Sequence, residues 1–278
     1  MRYVKEVLSA RELLANLTLR EIRGKYKRTI FGQLWSLANP LALMVIYTFV
    51  FGFIFRIQPE PGDPSGLDVF ALWLLCGLLP WTFLVNVINS GAASLVDNAN
   101  LIQKVYFPRI VLPLSIVGSV GYNWLFEMAV LLVALSIVGG FVLPWIPLML
   151  VGMVLLAVFA AGIALMLSVA NVHFRDTQYF VTIVLQLWLY LTPIIYPISL
   201  VQTQSDRVGG LFGSSITILD IYNLNPMVYF VELFRNLLYD NRFPDLWTWV
   251  WCVVAAGISI VLGVLVFRRG ERGLAEAL

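Results

Sequence analysis

The sequence predicts an all-α integral membrane protein with six transmembrane helices. An N-terminal amphipathic interface helix precedes them, and outer re-entrant helices precede the last span. Three observations carry this. The 278 residues are 60% hydrophobic and 12% charged, with a mean hydropathy of +0.87, where a soluble domain carries about 25% charged residues. The apolar residues gather into runs long enough to cross about 30 Å of hydrocarbon, parted by short polar turns. The cations are unevenly shared between those turns. The net charge of +2 says little beside that placement.

Residues 1–33 form the interface segment. Tyr3, Val7, Ala10, Leu14 and Leu17 recur at alternating spacings of four and three, which places them on one helical face. Arg2, Lys5, Glu6, Arg11, Glu12, Arg20 and Glu21 fall mostly elsewhere. A basic amphipathic helix ahead of a span lies in the membrane interface, as a topology anchor or as a surface that a partner grips. Lys25, Lys27 and Arg28 close the segment. Hydrocarbon does not accept them, so they set the side on which the chain begins.

Residues 34–278 hold the spans. The first covers 34–55, about 33 Å of helix, with Pro40 in its early turns, where proline costs least. The loop Gln58-Pro-Glu-Pro-Gly-Asp-Pro-Ser-Gly66 belongs outside the bilayer. The second span, 69–96, has a kink expected at Pro80 and a polar stripe of Asn86, Asn89, Ser90, Ser94 and Asp97. Lipid does not tolerate such a stripe, so it faces protein or a polar path. A loop over 97–109 carries Lys104 and Arg109 and leads to the third span, 110–138, with Glu127 near its middle. A tight return at Phe141-Val-Leu-Pro-Trp-Ile-Pro147 opens the fourth span, 148–170.

The fifth span is expected over 179–198. It follows the charged loop Asn171-Val-His-Phe-Arg-Asp176. Gln178, Thr182, Gln186 and Tyr190 make a second polar stripe, and Pro193 and Pro197 break the outer end. Within 199–245, Asn225 is a good helix N-cap and Pro226 a good first helical residue. The helix they begin has about 14 residues, too few to span. The last span is 246–267. With six spans, fourteen Lys and Arg lie on the side of the termini and four on the other, which puts both termini in the cytoplasm. The short helix then dips in and returns, or rests at the outer surface, near a pathway it plugs or gates.

The chemistry of an enzyme is missing. His173 is the one histidine, and there is no HExxH, CxxC or Gly-x-x-x-x-Gly-Lys-Ser/Thr loop. Cys76 and Cys252 sit inside apolar runs as small hydrophobes rather than a redox pair or metal site. Glu127 is the one charge deep in a span, either hydrogen-bonded to a neighbouring helix or handling a substrate or proton. No catalytic residue, resident cofactor, metal or nucleic-acid partner is expected. Two polar stripes and an outer short helix suit a transport pathway. Most of the 18 Phe, 11 Tyr and 9 Trp serve as interfacial belts or packing. Tyr47, Phe49, Phe53, Trp188 and Tyr190 are the candidates to stack sugar rings in a channel, with Gln178, Thr182 and Gln186 beside them.

Four motifs make the chain specific. Tyr26-Lys-Arg-Thr-Ile-Phe-Gly-Gln-Leu-Trp-Ser-Leu-Ala-Asn-Pro40 closely resembles the entry to the first span of ABC-type polysaccharide exporter permeases. Asn100-Leu-Ile-Gln-Lys-Val-Tyr-Phe-Pro-Arg-Ile-Val-Leu-Pro113 resembles that family's cytoplasmic coupling segment. Arg175-Asp-Thr-Gln-Tyr, with Thr192-Pro-Ile-Ile-Tyr-Pro197, is similar to its fifth span, and Leu224-Asn-Pro-Met-Val-Tyr-Phe-Val-Glu-Leu-Phe-Arg235 to its outer re-entrant helices. The match runs nearly end to end in order.

The resemblance implies a working unit of two copies of this chain and two copies of a separate ATPase that binds ATP and magnesium. The 97–109 segment, with Asn100, Leu101, Lys104, Tyr106, Phe107, Pro108 and Arg109, would sit against that ATPase, and Arg175 and Asp176 nearby. The copies would frame a channel lined by the first and fifth spans. A lipid-linked glycan would enter from the cytoplasmic side of a bacterial plasma membrane, its pyrophosphate drawn by Lys25, Lys27 and Arg28, which also serve as plain positive-inside anchors. Asn225, Pro226, Glu232 and Arg235 would belong to an outer gate. A permease for a small lipid, lipo-oligosaccharide or drug is the alternative within transport.

Overall fold

A computed structural model describes residues 10–25, 27, 29–56, 61–210 and 217–273, without the Arg272 side chain. The first part of the expected interface helix, Arg28, and residues 57–60, 211–216 and 274–278 lie outside the described residues.

Every regular element among the described residues is helical. Helix α1 (Arg11–Lys25) is followed by a short 3-10 turn (Gly32–Leu34), α2 (Trp35–Tyr47) and a π-helical stretch (Thr48–Ile54). Then come α3 (Phe70–Asp97), α4 (Ala99–Lys104), α5 (Val111–Ile137) and α6 (Ile146–His173). The outer half of the sequence order continues with α7 (Thr177–Tyr190), α8 (Ile198–Val208), α9 (Ile218–Asn223) and α10 (Pro226–Arg235). A π turn (Asn236–Asp240) extends α10, and α11 (Leu246–Gly270) ends the described bundle.

Five helices among the described residues are long and apolar enough to cross a membrane: Gly32–Ile54, Phe70–Asp97, Val111–Ile137, Leu143–His173 and Leu246–Gly270. Each coincides with an expected span, the fourth running several residues longer at both ends. The fifth expected span is different. Its helix, α7, stops at Tyr190 after 14 residues, about 21 Å of rise and short of the hydrocarbon thickness. Pro193 and Pro197 have no N–H to continue the ladder, so 191–197 runs on as turns and a bend. The helical reading over 179–198 is thereby corrected. Pro40 lies in the early turns as expected, the sixth residue of α2, but it is inside the helix and deprives the Ser36 carbonyl of its intrahelical donor, so it is not at the position where proline costs least.

α3 is the axis of the molecule. Of its apolar stretch 83% is buried, against 11% for the first span. It packs on α5, α6 and α10, while α6 packs along α11. The α6–α11 contact is backbone-close: a Cβ on Gly162 would collide with the Ser259 backbone, and one on Gly263 with the Gly162 backbone. Ser259 Oγ donates to the Phe159 carbonyl at 2.7 Å across the same crossing. Without a hydrophobic drive between helices in lipid, small residues that permit such approach are what holds them. Cys76 and Cys252 are free and fully buried, as small hydrophobes would be.

The short helix begun by Asn225 lies inside the bundle. Met227, Phe230, Leu233, Phe234, Leu237 and Leu238 have no exposed surface. Non-spanning backbone at membrane depth is tolerated where protein buries it. α10 meets that condition by packing on α3, α11 and α6.

Candidate functional site

Three regions hold the residues singled out in the sequence. The first is a platform at the end bearing Lys25. Leu17 of α1, Leu95 of α3, Ile102 of α4, Val111 of α5, Val169 of α6 and Phe267 of α11 form a small core separate from the main one, with Phe107 packed against it. α1 docks on α5, where Thr18 Oγ1 donates to the Ser115 carbonyl and a side chain at Gly118 would press on Thr18. Arg20 donates to Asn98 Oδ1 at 2.7 Å, tying α1 to the turn before α4. Arg109 donates to the Glu271 carbonyl at 2.7 Å, tying the 97–109 segment to the end of α11. On this platform Asn100, Lys104, Arg175 and Asp176 are exposed, Leu101, Phe107, Pro108 and Arg109 are half-buried, and Tyr106 is fully exposed at 101%. His173 bonds within its own helix, to the Val169 carbonyl at 2.9 Å.

The second region is the outward face of α2, its π extension and α7. Phe49 and Phe53 stack with centroids 5.7 Å apart and planes 15° apart, and both are exposed. The π stretch that carries Phe53 widens the helical turn, a feature the sequence did not announce; such turns are frequent at functional sites. On α7, Gln178, Thr182, Gln186 and Tyr190 are all exposed. Both helices lean on α3, and the outer end of the first reaches the α8–α9 pair around an apolar hollow of about 320 Å³ that includes Phe51, Tyr196 and Tyr222. Tyr47 is half-buried with its edge on Phe51. Trp188 turns inward, edge-on to Trp81 and donating its indole N–H to Asn225 Oδ1 at 2.8 Å.

The third region joins the broken end of α7 to the start of α10. The Asn225 side chain makes four hydrogen bonds. Oδ1 accepts from the Met227 N–H at 3.0 Å, as an N-cap should, and from Trp188. Nδ2 donates to the Leu191 carbonyl at 3.0 Å and to Thr192 Oγ1 at 2.9 Å. Ten residues on, Arg235 donates to the Pro193 and Ile194 carbonyls, each at 2.6 Å, with its guanidinium 3.5 Å from the centre of the Trp73 ring. In a continuing helix the Pro193 carbonyl would receive the N–H of residue 197; Pro197 has none, and Arg235 takes its place. A cavity of about 330 Å³ beside Arg235 collects Asp63, Glu232, Asp240 and Arg242. Burial pushes the Glu232 and Asp240 carboxyls above the ordinary range, opposed by Arg242.

Reasoning from sequence missed a cluster between the first three spans. Ser36, Asn39, Thr82, Asn86, Asn123 and Glu127 line a cavity of about 400 Å³ whose mouth holds Lys25 and Thr29. Asn123 stands one helical turn before Glu127, a polar pair at i and i+4, and that spacing was the available signal. Of the second span's polar stripe, Asn86 enters this cavity. Ser94 is buried and donates to the Gly91 carbonyl. Ser90 and Asp97 are exposed. Among the described residues, no group of three or more His, Cys, Asp or Glu is placed to hold a metal ion.

Comparison with known proteins agrees with the all-helical membrane architecture. Residues 12–239 match the family model described as ABC-2 type transporter. An O-antigen export system permease protein RfbA of Myxococcus xanthus is 30% identical over 262 residues, covering 94% of this chain and 92% of that protein. A protein of the same name from Klebsiella pneumoniae is 30% identical over 275 residues, covering 96% and 95%. The polysialic acid transport protein KpsM of Escherichia coli is 23% identical over 264 residues, covering 93% of each.

Proposed function

The chain belongs to the ABC-2 type transporter family, and on that premise we propose that it is the permease subunit for ATP-driven export of a lipid-linked polysaccharide across the plasma membrane of a bacterium. The observation that carries the reading is the outward face of α7. Gln178, Thr182 and Gln186 are exposed along it together with Tyr190, and Phe49 and Phe53 are exposed on the first span. Lipid is a poor neighbour for the glutamines. A second copy of the chain, closing this face into a lumen, supplies them with protein and water. Aromatic rings beside amide groups suit a sugar chain, whose C–H faces stack and whose hydroxyls take hydrogen bonds. The names of the relatives above, O-antigen export and polysialic acid transport, point to the same substrate class.

In this reading α7 and the 191–197 turn together make the fifth of six crossings, so both termini are cytoplasmic. Two copies of an ABC ATPase, which bind ATP and magnesium, dock on the platform. Asn100, Leu101, Lys104, Tyr106 and Phe107 through Arg109 form the contact, and Arg175 and Asp176 flank it. Tyr106 suits a docking role because its side chain is fully exposed. Lys25, Lys27 and Arg28 draw the lipid pyrophosphate to the cytoplasmic entry. Asn225, Pro226, Glu232 and Arg235 hold the outer closure, where the amide and guanidinium knot sets how far α10 and the end of α7 can part.

Affinity purification from the native membrane, with mass spectrometry of proteins and lipids, tests this. The expected result is a stoichiometric ATPase together with a polyprenyl-linked glycan. An ATPase accompanied by a small lipid or lipo-oligosaccharide alone would replace the glycan reading, and recovery without an ATPase would refute the transport reading.

A further inference from the structure

Two cavities stand end to end between the first three spans. The polar one, described above, borders residues 35–40 of α2, 82–86 of α3 and 120–127 of α5. The other, of about 440 Å³, borders residues 37–44 of α2, 69–79 at the start of α3, and 127–138 at the end of α5. Apart from Glu127, its lining is apolar, including Met44, Leu75, Leu131 and Ala134. α2 and α5 run in one direction and α3 in the other. All three place their polar stretch toward the end bearing Lys25 and their apolar stretch away from it. The cavities share Pro40 and Glu127, which therefore mark the level at which polar gives way to apolar.

The polar cavity holds groups that the protein itself does not satisfy. Asn123 is 3% exposed, and neither its amide N–H nor its oxygen has a hydrogen-bond partner among the described residues. The indole N–H of Trp124, 2% exposed, is in the same condition. Buried polar groups left unpaired cost free energy, so such a constellation calls for something to bond them. Water alone would serve the amide but not explain an apolar-lined chamber of similar size continuing from it.

We propose that the two cavities together hold one phospholipid of the leaflet on the Lys25 side. Its phosphate and ester groups occupy the polar chamber and one acyl chain the apolar chamber. Each chamber falls within the size range of small-molecule sites. The ester carbonyls accept from the Asn123 amide and the Trp124 indole. Lys25 and Thr29 at the mouth stand where the phosphate must lie. The lipid would wedge α2 against α3 and α5, filling the gap beneath a span that is otherwise little buried. This inference requires only that the chain sits in a membrane and is independent of what it exports.

The test uses the purified full chain in vesicles of phosphatidylethanolamine and phosphatidylglycerol, with a trace of phosphatidylethanolamine bearing a diazirine at the end of one acyl chain. After irradiation, labelled peptides are mapped by mass spectrometry. The expected labels concentrate on Leu75, Leu131 and Ala134 above the level on Val253 and Ile258, exposed residues of α11 that report ordinary lipid contact. Ala134→Trp, and Val130→Trp from the exposed rim, abolish the cavity labels and leave the α11 labels unchanged. Asn123→Leu weakens cavity labelling about tenfold, the equivalent of one or two hydrogen bonds. Even labelling of all outward residues would overturn the proposal, as would cavity labelling that survives both tryptophan variants. Displacement of the probe by polyprenyl phosphate but not by excess phospholipid would overturn it in favour of a different lipid.

Discussion

Asn225→Ala is the most direct probe of how the outer closure is held. The substitution removes four hydrogen bonds at once. Loss of an N-cap side chain costs about 1 kcal/mol, within a range of roughly 0.5–2. The Trp188 indole N–H, half-buried against Trp81, loses its acceptor, adding about 1–3 kcal/mol if water does not reach it. Leu191 is exposed, so its carbonyl rehydrates for little, and the buried Thr192 hydroxyl keeps the bond it donates to the Trp188 carbonyl. The expected destabilisation is therefore about 2–4 kcal/mol, read from unfolding of the purified protein in mixed micelles. A double-mutant cycle with Trp188→Phe isolates the indole–amide bond, with an expected coupling of about 1 kcal/mol. If the two single variants add to within about 0.5 kcal/mol, Trp188 and Asn225 do not act on each other and the knot is not what joins α7 to α10.

Three further outcomes follow from the geometry. Gly162→Ala should lower the thermal midpoint more than Ser259→Ala, because the first forces α6 and α11 apart at a backbone contact while the second removes one hydrogen bond of about 1 kcal/mol. Equal shifts would mean that the crossing is looser than described. Tyr106→Ala should leave the unfolding midpoint unchanged, since the side chain is fully exposed, yet uncouple the partner's ATP hydrolysis from export; unimpaired export would remove Tyr106 from the docking surface. Burial raises the Glu232 carboxyl in the folded protein, so the folded state binds that proton more tightly than the unfolded one. Its stabilising effect is full below the unfolded value of about 4.3 and declines as pH rises through the folded one. The midpoint of Glu232→Gln minus that of the unaltered protein should thus increase on going from pH 4 toward neutrality, a trend that a flat or falling difference would refute.

Much of this protein could be read from local sequence. Five spans fell where apolar runs of sufficient length lay, because a run that long has no other stable place. The start of α10 was legible because an N-cap asparagine followed by proline acts within two residues of itself. The burial of both cysteines followed from the runs around them. Family membership was legible in four motifs strung along the chain.

Other features depended on partners distant in sequence, and only the tertiary structure decided them. The helix of the fifth crossing ends at Tyr190 because two prolines break the ladder beyond it, and the Pro193 and Ile194 carbonyls left in that turn are satisfied by Arg235, more than forty residues later. Trp188 faces inward because Asn225 and Trp81 meet it there, although its spacing alone allowed it to face a channel. Asn123 joined Glu127 in one cavity because α2 and α3 leave a gap over that face of α5. Periodicity tells which residues share a face of their own helix. Which neighbour that face meets depends on how the helices pack, and in a membrane that packing is governed by close small-residue contacts and scattered polar bonds, not by hydrophobic pattern.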